Sequence, residues 1–318
     1  MIDLFSNVPA NYDSGSPAYL RALLNISKQD LLSSMIDVRT PDGDQVVLLL
    51  ADGQLLSAYY LTGTTCTSST LVELEGMWSG SSAKVRSLPL PREAVRSAQY
   101  VFAWYPARQA LMIQGSALPS NLASFAAQKT CGVLHLKWTG GDALITLLDG
   151  VQVNAEIFLG TITGVVSGAA AIRHLQRLQE GAISLSVYEA QTTSLLFQQL
   201  LLRHVIADLM RNILGRYSQM VGSGLLNALS GDISNAMRLN NLHIQALGEV
   251  IYNTHVFLSL EDANRAYFLL IKASQLHMAR VLGASLAQTI QNDALNALAP
   301  TAQAILREQT QLFTLAFH

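Results

Sequence analysis

The sequence predicts an α+β protein: two tandem antiparallel-sheet-plus-helix repeats followed by an all-α helical bundle domain. Three observations carry this. A strand, Asp-Gly, strand pattern occurs twice with a constant offset: VVLLLADGQLLSAYYLTGT over 46–64 returns as ALITLLDGVQVNAEIFLGT over 143–161. From about Thr192 onward strand signals fade, and Leu, Ala, Gln, Met and Arg dominate. The chain is also long, at 318 residues, and poor in charge, at 13%, where roughly 25% is ordinary. One core seldom grows past about 250–300 residues, so more than one domain is expected. The boundaries read as an extension over 1–15, a first repeat with its bridge over 16–116, a second repeat over 117–190 and a helical domain over 191–318.

Each repeat begins with a short helix. In the first copy Ser16 is the N-cap, Pro17 takes the first helical position and the helix runs to Leu24. In the second copy it spans Pro119 to Gln128. A strand follows, Met35 to Arg39 or Gly132 to Trp138, then the turns Pro41-Asp42-Gly43 and Gly140-Gly141. The hairpins come next. Asp52-Gly53 and Asp149-Gly150 lie between apolar runs and supply the positive-φ residue a tight hairpin needs. Both aspartates read as turn residues, not as a paired catalytic dyad. Each copy closes with a helix and a last strand: Leu71 to Met77 then Ser81 to Leu88, and Gly168 to Leu178 then Ala182 to Tyr188. In the bridge, Pro91 to Ser97 reads as a short helix. Val101 to Tyr105 and Ala110 to Ile113 read as strands around Pro106, extending the first sheet or linking the two.

The helix, meander, Gly-Thr corner (Gly63-Thr64 and Gly160-Thr161), helix and final strand resemble the PATAN domain, also catalogued as DUF4388-type. The family's aromatic and glycine before the last strand is matched by Gly76-Met77-Trp78 in copy one. Copy two has only Glu180-Gly181. The resemblance covers about residues 16–190. It implies a bacterial signalling or regulatory protein that acts through protein–protein contact, often joined to receiver domains, and not an enzyme. No receiver domain is visible in this sequence.

The C-terminal part reads as helices over Leu195–Ile213, Arg216–Leu229 and Asp232–Asn240. Leu242 to Ser259 permits a strand pair or a broken helix. Ser259-Leu-Glu-Asp262 has capping-box form and opens a long helix to about Gln291. A short helix to Leu298 follows, and Pro300 restarts the chain for Ala302 to Leu315. The long helix is apolar nearly all round, which places it centrally in a bundle or at a subunit contact. Tyr267, Leu270, His277 and Met278 are its candidate apolar interface or pocket.

Composition and motifs exclude several functions. A net charge of −2 rules out holding nucleic acid mainly by phosphate neutralisation. The aromatic cluster Tyr100, Phe102, Trp104 and Tyr105 has few basic neighbours and reads as packing. The start MIDLFSNVPANYDSG lacks a basic n-region and carries an early Asp3, so it does not read as a signal peptide. Ile157 to Ile172 is too short and too polar to span a membrane and reads as a buried turn and helix start. A cytoplasmic, soluble protein is expected. Histidines 174, 204, 243, 255 and 277 show no HxxxH or HExxH spacing, so no metal is expected. Cys66 and Cys131 form no CxxC. Gly222-Ser223-Gly224 lacks the nucleophile-elbow frame, and Ser81-Ser-Ala-Lys84 lacks the partners an SxxK site needs. No GxGxxG or P-loop occurs, and no cofactor is expected.

The expected function is therefore non-enzymatic signalling through an unidentified protein partner, with the helical domain used for homo-oligomerisation or docking. The alternative is a small-molecule sensor with an apolar pocket in the helical domain. An enzyme would have to gather distant groups; His204, Asp208 and Glu249 mark where to look.

Overall fold

The computed structural model describes residues 3–5, 12–77, 83–160, 165–178 and 180–309. Trp78, Ser81, Thr161 to Gly164 and the helical stretch expected over 310–315 lie outside the described residues. The chain divides into two compact units, Met1–Gln191 and Thr192–His318.

The first unit opens with β1 (Asp13–Gly15), α1 (Pro17–Gln29), β2 (Ser34–Arg39), β3 (Gln45–Ala51), β4 (Gln54–Thr62), β5 (Thr65–Ser68), α2 (Leu71–Met77) and β6 (Ala83–Pro89). These strands form one antiparallel sheet in the order β1-β6-β2-β3-β4-β5. After α3 (Arg92–Ala103) come β7 (Gln109–Gln114), α4 (Leu118–Ala127), β8 (Gly132–Trp138), β9 (Gly141–Leu148), β10 (Val151–Leu159), β11 (Val165–Ser167), α5 (Gly168–Leu175) and β12 (Ala182–Glu189). Their sheet runs β11-β10-β9-β8-β12-β7. Read from opposite edges, the two orders correspond strand for strand. In each, a four-strand meander is extended by the strand after the second helix, and a strand preceding the first helix adds the outer edge.

Local chemistry sets the helix starts. Ser16 Oγ accepts from Tyr19 N at 3.3 Å. Thr70 and Glu73 form a reciprocal capping box at α2, with Glu73 accepting from Thr70 N at 2.7 Å. Packing explains why β3 and β9 are largely apolar and buried along their whole length. One face of the first sheet, including Ile36, Val38, Val46 and Leu48, packs under α1 and α2 with Leu20 and Leu74. The alternate residues Met35, Val47 and Leu49 are buried as well. Helix α3 covers them, touching β2, β3 and β5 of the first sheet and β8 and β9 of the second. Strands buried on both faces lose the polar alternation of a half-exposed sheet.

This arrangement corrects the reading of the bridge. Val101 to Ala103 belongs to α3, whose residues 94 to 102 are all buried. The strand around Leu111 joins the second sheet beside β12, so residues 109–114 lie with the second copy and not the first.

The second unit contains α6 (Leu195–Leu239), the hairpin β13 (Ile244–Leu247) and β14 (Val250–Asn253), α7 (Leu260–Leu282), α8 (Ala284–Asn296) and α9 (Pro300–Gln309). It is helical with a two-stranded hairpin, not all-α. The three helices expected over 195–240 are one long element, broken only at Gly222, where φ is 79°. The long helix expected to reach Gln291 instead stops at Gly283, with φ 87°, and restarts as α8.

Candidate interaction site

The two Asp-Gly turns have one geometry. Asp52 and Asp149 both sit at φ 50°, and Gly53 and Gly150 at 74° and 76°. Each glycine also lets the turn press against the preceding helix. A Cβ on Gly53 would stand 2.7 Å from Lys28 Cα, and one on Gly150 2.5 Å from Ala126 Cα. Gly53 N donates to Leu32 O, and Gly150 N to Thr130 O, both at 2.8 Å. The aspartates do structural work nearby. Asp52 Oδ1 accepts from Arg92 Nε at 2.5 Å, and Asp52 N donates to Ser33 Oγ at 3.0 Å. Asp149 N donates to Cys131 Sγ at 3.3 Å. They lie in separate sheets and form no dyad.

Where the second turn meets α4 and α5, a groove of about 470 Å³ opens on the outer face of the second sheet. Leu118, Leu122 and Ala126 form one wall, Ile172 and Leu175 the other, and Val151 stands at the mouth, 58% exposed. Among the described lining residues none is charged; Gln152 and Gln176 supply the polarity. At the first turn Lys28 takes the place that Ala126 takes at the second.

The other sequence-predicted residues are interior. Tyr267, Leu270 and Met278 belong to the core of the second unit. The Tyr267 hydroxyl accepts from Asn253 Nδ2 at 3.0 Å. His277 Nδ1 lies 2.8 Å from Asp232, and its ring meets Tyr217 edge-on with centroids 6.0 Å apart. All four residues are buried within the second unit. The exposed side of α7 carries Leu276 and Val281 instead. His204 and Asp208 approach at 3.5 Å as helical neighbours, and Asp208 also pairs with Arg211 at 2.7 Å. Glu249 lies against Gly215, two turns further along α6. His243 and His255 stack at 5.6 Å. No group of three or more His, Cys, Asp or Glu that could hold a metal occurs among the described residues.

Burial pushes the Cys66 thiol up to about 12. Cys131 is also raised, first by burial and then by the Asp149 and Glu189 charges. Both are poor nucleophiles in this state.

Sequence reasoning missed a buried polar cluster between the two sheets. Asp37, fully buried in β2, accepts from Tyr12 Oη at 2.5 Å, Gln45 Nε2 at 2.9 Å and Arg86 at 3.2 Å. Arg39 adds a longer contact at 3.5 Å. Asp3 joins Arg39 at 2.8 Å and Lys137 of β8 at 3.5 Å. Burial opposes ionisation of Asp3, but Arg39, Lys137 and Arg86 hold its carboxyl below the usual range. Arg86 donates to Leu4 O, while Phe5 packs on Phe158 at 4.2 Å. On the second sheet His135 lies 3.3 Å from Asp142. The available signal was an isolated charge inside each apolar strand. Such groups need partners once dehydrated. This cluster fastens the chain start and both sheets together.

No protein-family model matches the chain. No curated protein matches it, and no solved structure matches it. Among the described residues no helix is long and apolar enough to cross a membrane.

Proposed function

We propose that this chain is a non-enzymatic regulatory protein of the bacterial cytoplasm whose first unit carries two diverged copies of one PATAN-like module. The corresponding strand orders and the matched Asp-Gly turns support the duplication. The module acts by protein–protein contact, and the apolar groove between α4 and α5 is the observation that carries this reading. An uncharged groove flanked by two helices suits an apolar segment of a partner protein, which buries its side chains against Leu122, Ile172 and Val151. The Lys28 substitution leaves the first copy without this uniformly apolar wall, so the copies have separate roles.

Site-directed photo-crosslinking in bacterial cells tests it. A photoreactive residue at Val151 should give one dominant protein adduct, absent from the same probe at exposed Leu239 of the second unit. Leu122→Glu should abolish that adduct. Equal adduct patterns at both positions would overturn the proposal. The groove's volume also falls within the range of small-molecule pockets; a co-purifying ligand displaced by Leu122→Glu would favour a sensor whose pocket lies in the first unit and not in the helical domain.

A further inference from the structure

We infer that β7 is the edge through which two copies of this chain pair, joining their second sheets into one. Exposed sheet edges are normally blunted by shortness, charge, proline or a bulge. Three of the four outer strands are short: β1 and β11 have three residues each and β5 four. Strand β7 has six, Gln109-Ala-Leu-Met-Ile-Gln114, with no charge and no proline. Met112 is 70% exposed. This strand lies outside the groove, so the inference does not rest on that reading.

The hydrogen-bond alternation fixes which groups have no ladder partner among the described residues. Gly115 N donates to Gly181 O at 2.9 Å, continuing the β7–β12 ladder. Alternate residues of an antiparallel strand bond to the same side. Leu111 and Ile113 therefore bond to β12, and the N–H and C=O groups of Ala110, Met112 and Gln114 point to the open edge. Water solvates such a row while it is open, and another extended strand can replace that water with a continuous ladder.

The occupant is a second copy because the edge is complementary to itself. Outward-bonding residues must meet outward-bonding residues. An antiparallel pairing about a two-fold axis then overlaps best with the axis at Met112. Met112 faces the same residue of the second copy, and Ala110 faces Gln114. Leu111 then lies beside Ile113 of the other chain as a non-hydrogen-bonded pair, where side chains approach most closely. Both are half-buried against the core of their own sheet, so pairing extends that core across the axis. No like charges oppose: Arg108, just outside the strand, is already paired with Glu189 of its own chain at 2.5 Å, and its position falls opposite Ser116. A two-fold contact of this kind closes at two copies. One strand pair buries less than a standard interface, so the dimer is concentration-dependent.

Sedimentation velocity on the full chain over a wide concentration range tests this. Wild type should shift from monomer to dimer as concentration rises. Ala110→Pro removes an outward N–H that the in-chain ladder does not use, and edge strands tolerate proline; it should stay monomeric with an unchanged circular dichroism spectrum. If Ala110→Pro fails to fold, Met112→Lys serves, because it places two ammonium groups at the axis from an exposed position. Met112→Cys should yield a covalent dimer on mild oxidation, which wild type does not form. A wild type that stays monomeric throughout would overturn the inference. So would a dimer that survives both Ala110→Pro and Met112→Lys.

Discussion

Replacing Gly150 by alanine tests whether the Asp-Gly turn is fixed by contact with α4 or only by its own backbone. Gly150 sits at φ 76°, and an added Cβ would lie 2.5 Å from Ala126 Cα and 2.8 Å from the carbonyl oxygens of Ala126 and Phe125. The left-handed conformation alone costs an L-residue about 1–2 kcal/mol. Carbon atoms prefer about 3.5–4.0 Å, so the helix backbone must retreat by about 1 Å; forced overpacking of that kind costs roughly 1–3 kcal/mol more. The expected loss is about 2–5 kcal/mol. Gly140, at φ 90° with nothing within 4 Å, is the control; Gly140→Ala should lose only the backbone part, about 1–2 kcal/mol. Gly53→Ala, facing Lys28 Cα at 2.7 Å, should match Gly150→Ala. Urea unfolding followed by tryptophan fluorescence reads this directly, because Trp78, Trp104 and Trp138 all lie in the first unit. Equal losses for Gly150→Ala and Gly140→Ala would refute the reasoning.

Three further outcomes follow from the packing. Asp37→Ala strands Arg86 without its buried partner, and one-sided removal of a buried pair costs about 3–5 kcal/mol; the same fluorescence assay should report it, and a loss below about 1 kcal/mol would contradict the cluster's role. The raised Cys66 thiol favours the neutral form in the fold. Its stabilising contribution is complete below the ordinary thiol value of 9 and is lost as pH rises towards about 12. At pH near 8.5 Cys66 should alkylate far more slowly than a free thiol, as peptide mass spectrometry can measure. Leu270→Ala opens the core of the second unit and should cost about 2–5 kcal/mol by far-ultraviolet circular dichroism, while a core-neutral result would return Leu270 to the role of a surface contact.

The hairpins were legible because Asp-Gly chemistry is local: the turn residue alone demands positive φ. The caps at Ser16 and Ser259 were legible for the same reason. Helix α3 was legible only in its first part, over Pro91 to Ser97. Its Val101-Phe102 segment has strand propensity and reads locally as a strand, although it continues the helix. Glycine misled in the second unit. Breaks were expected near Gly215 and Gly231, yet α6 runs through both and turns at Gly222. A glycine only permits a break, and surrounding packing decides whether it is used. The groove and the β7 edge were illegible for a different reason. Ile172 meets Leu122 only across the groove, from helices far apart in sequence, and β7 becomes an edge only once β12 lies between it and β8.

We propose that this protein works through its surfaces and not through a held ligand or a reaction. Native mass spectrometry of freshly purified chain tests it most directly. The expected spectrum shows the 34.4 kDa chain and its dimer in proportions that change with concentration, with no added small-molecule mass. A bound molecule of a few hundred daltons on every chain would contradict it.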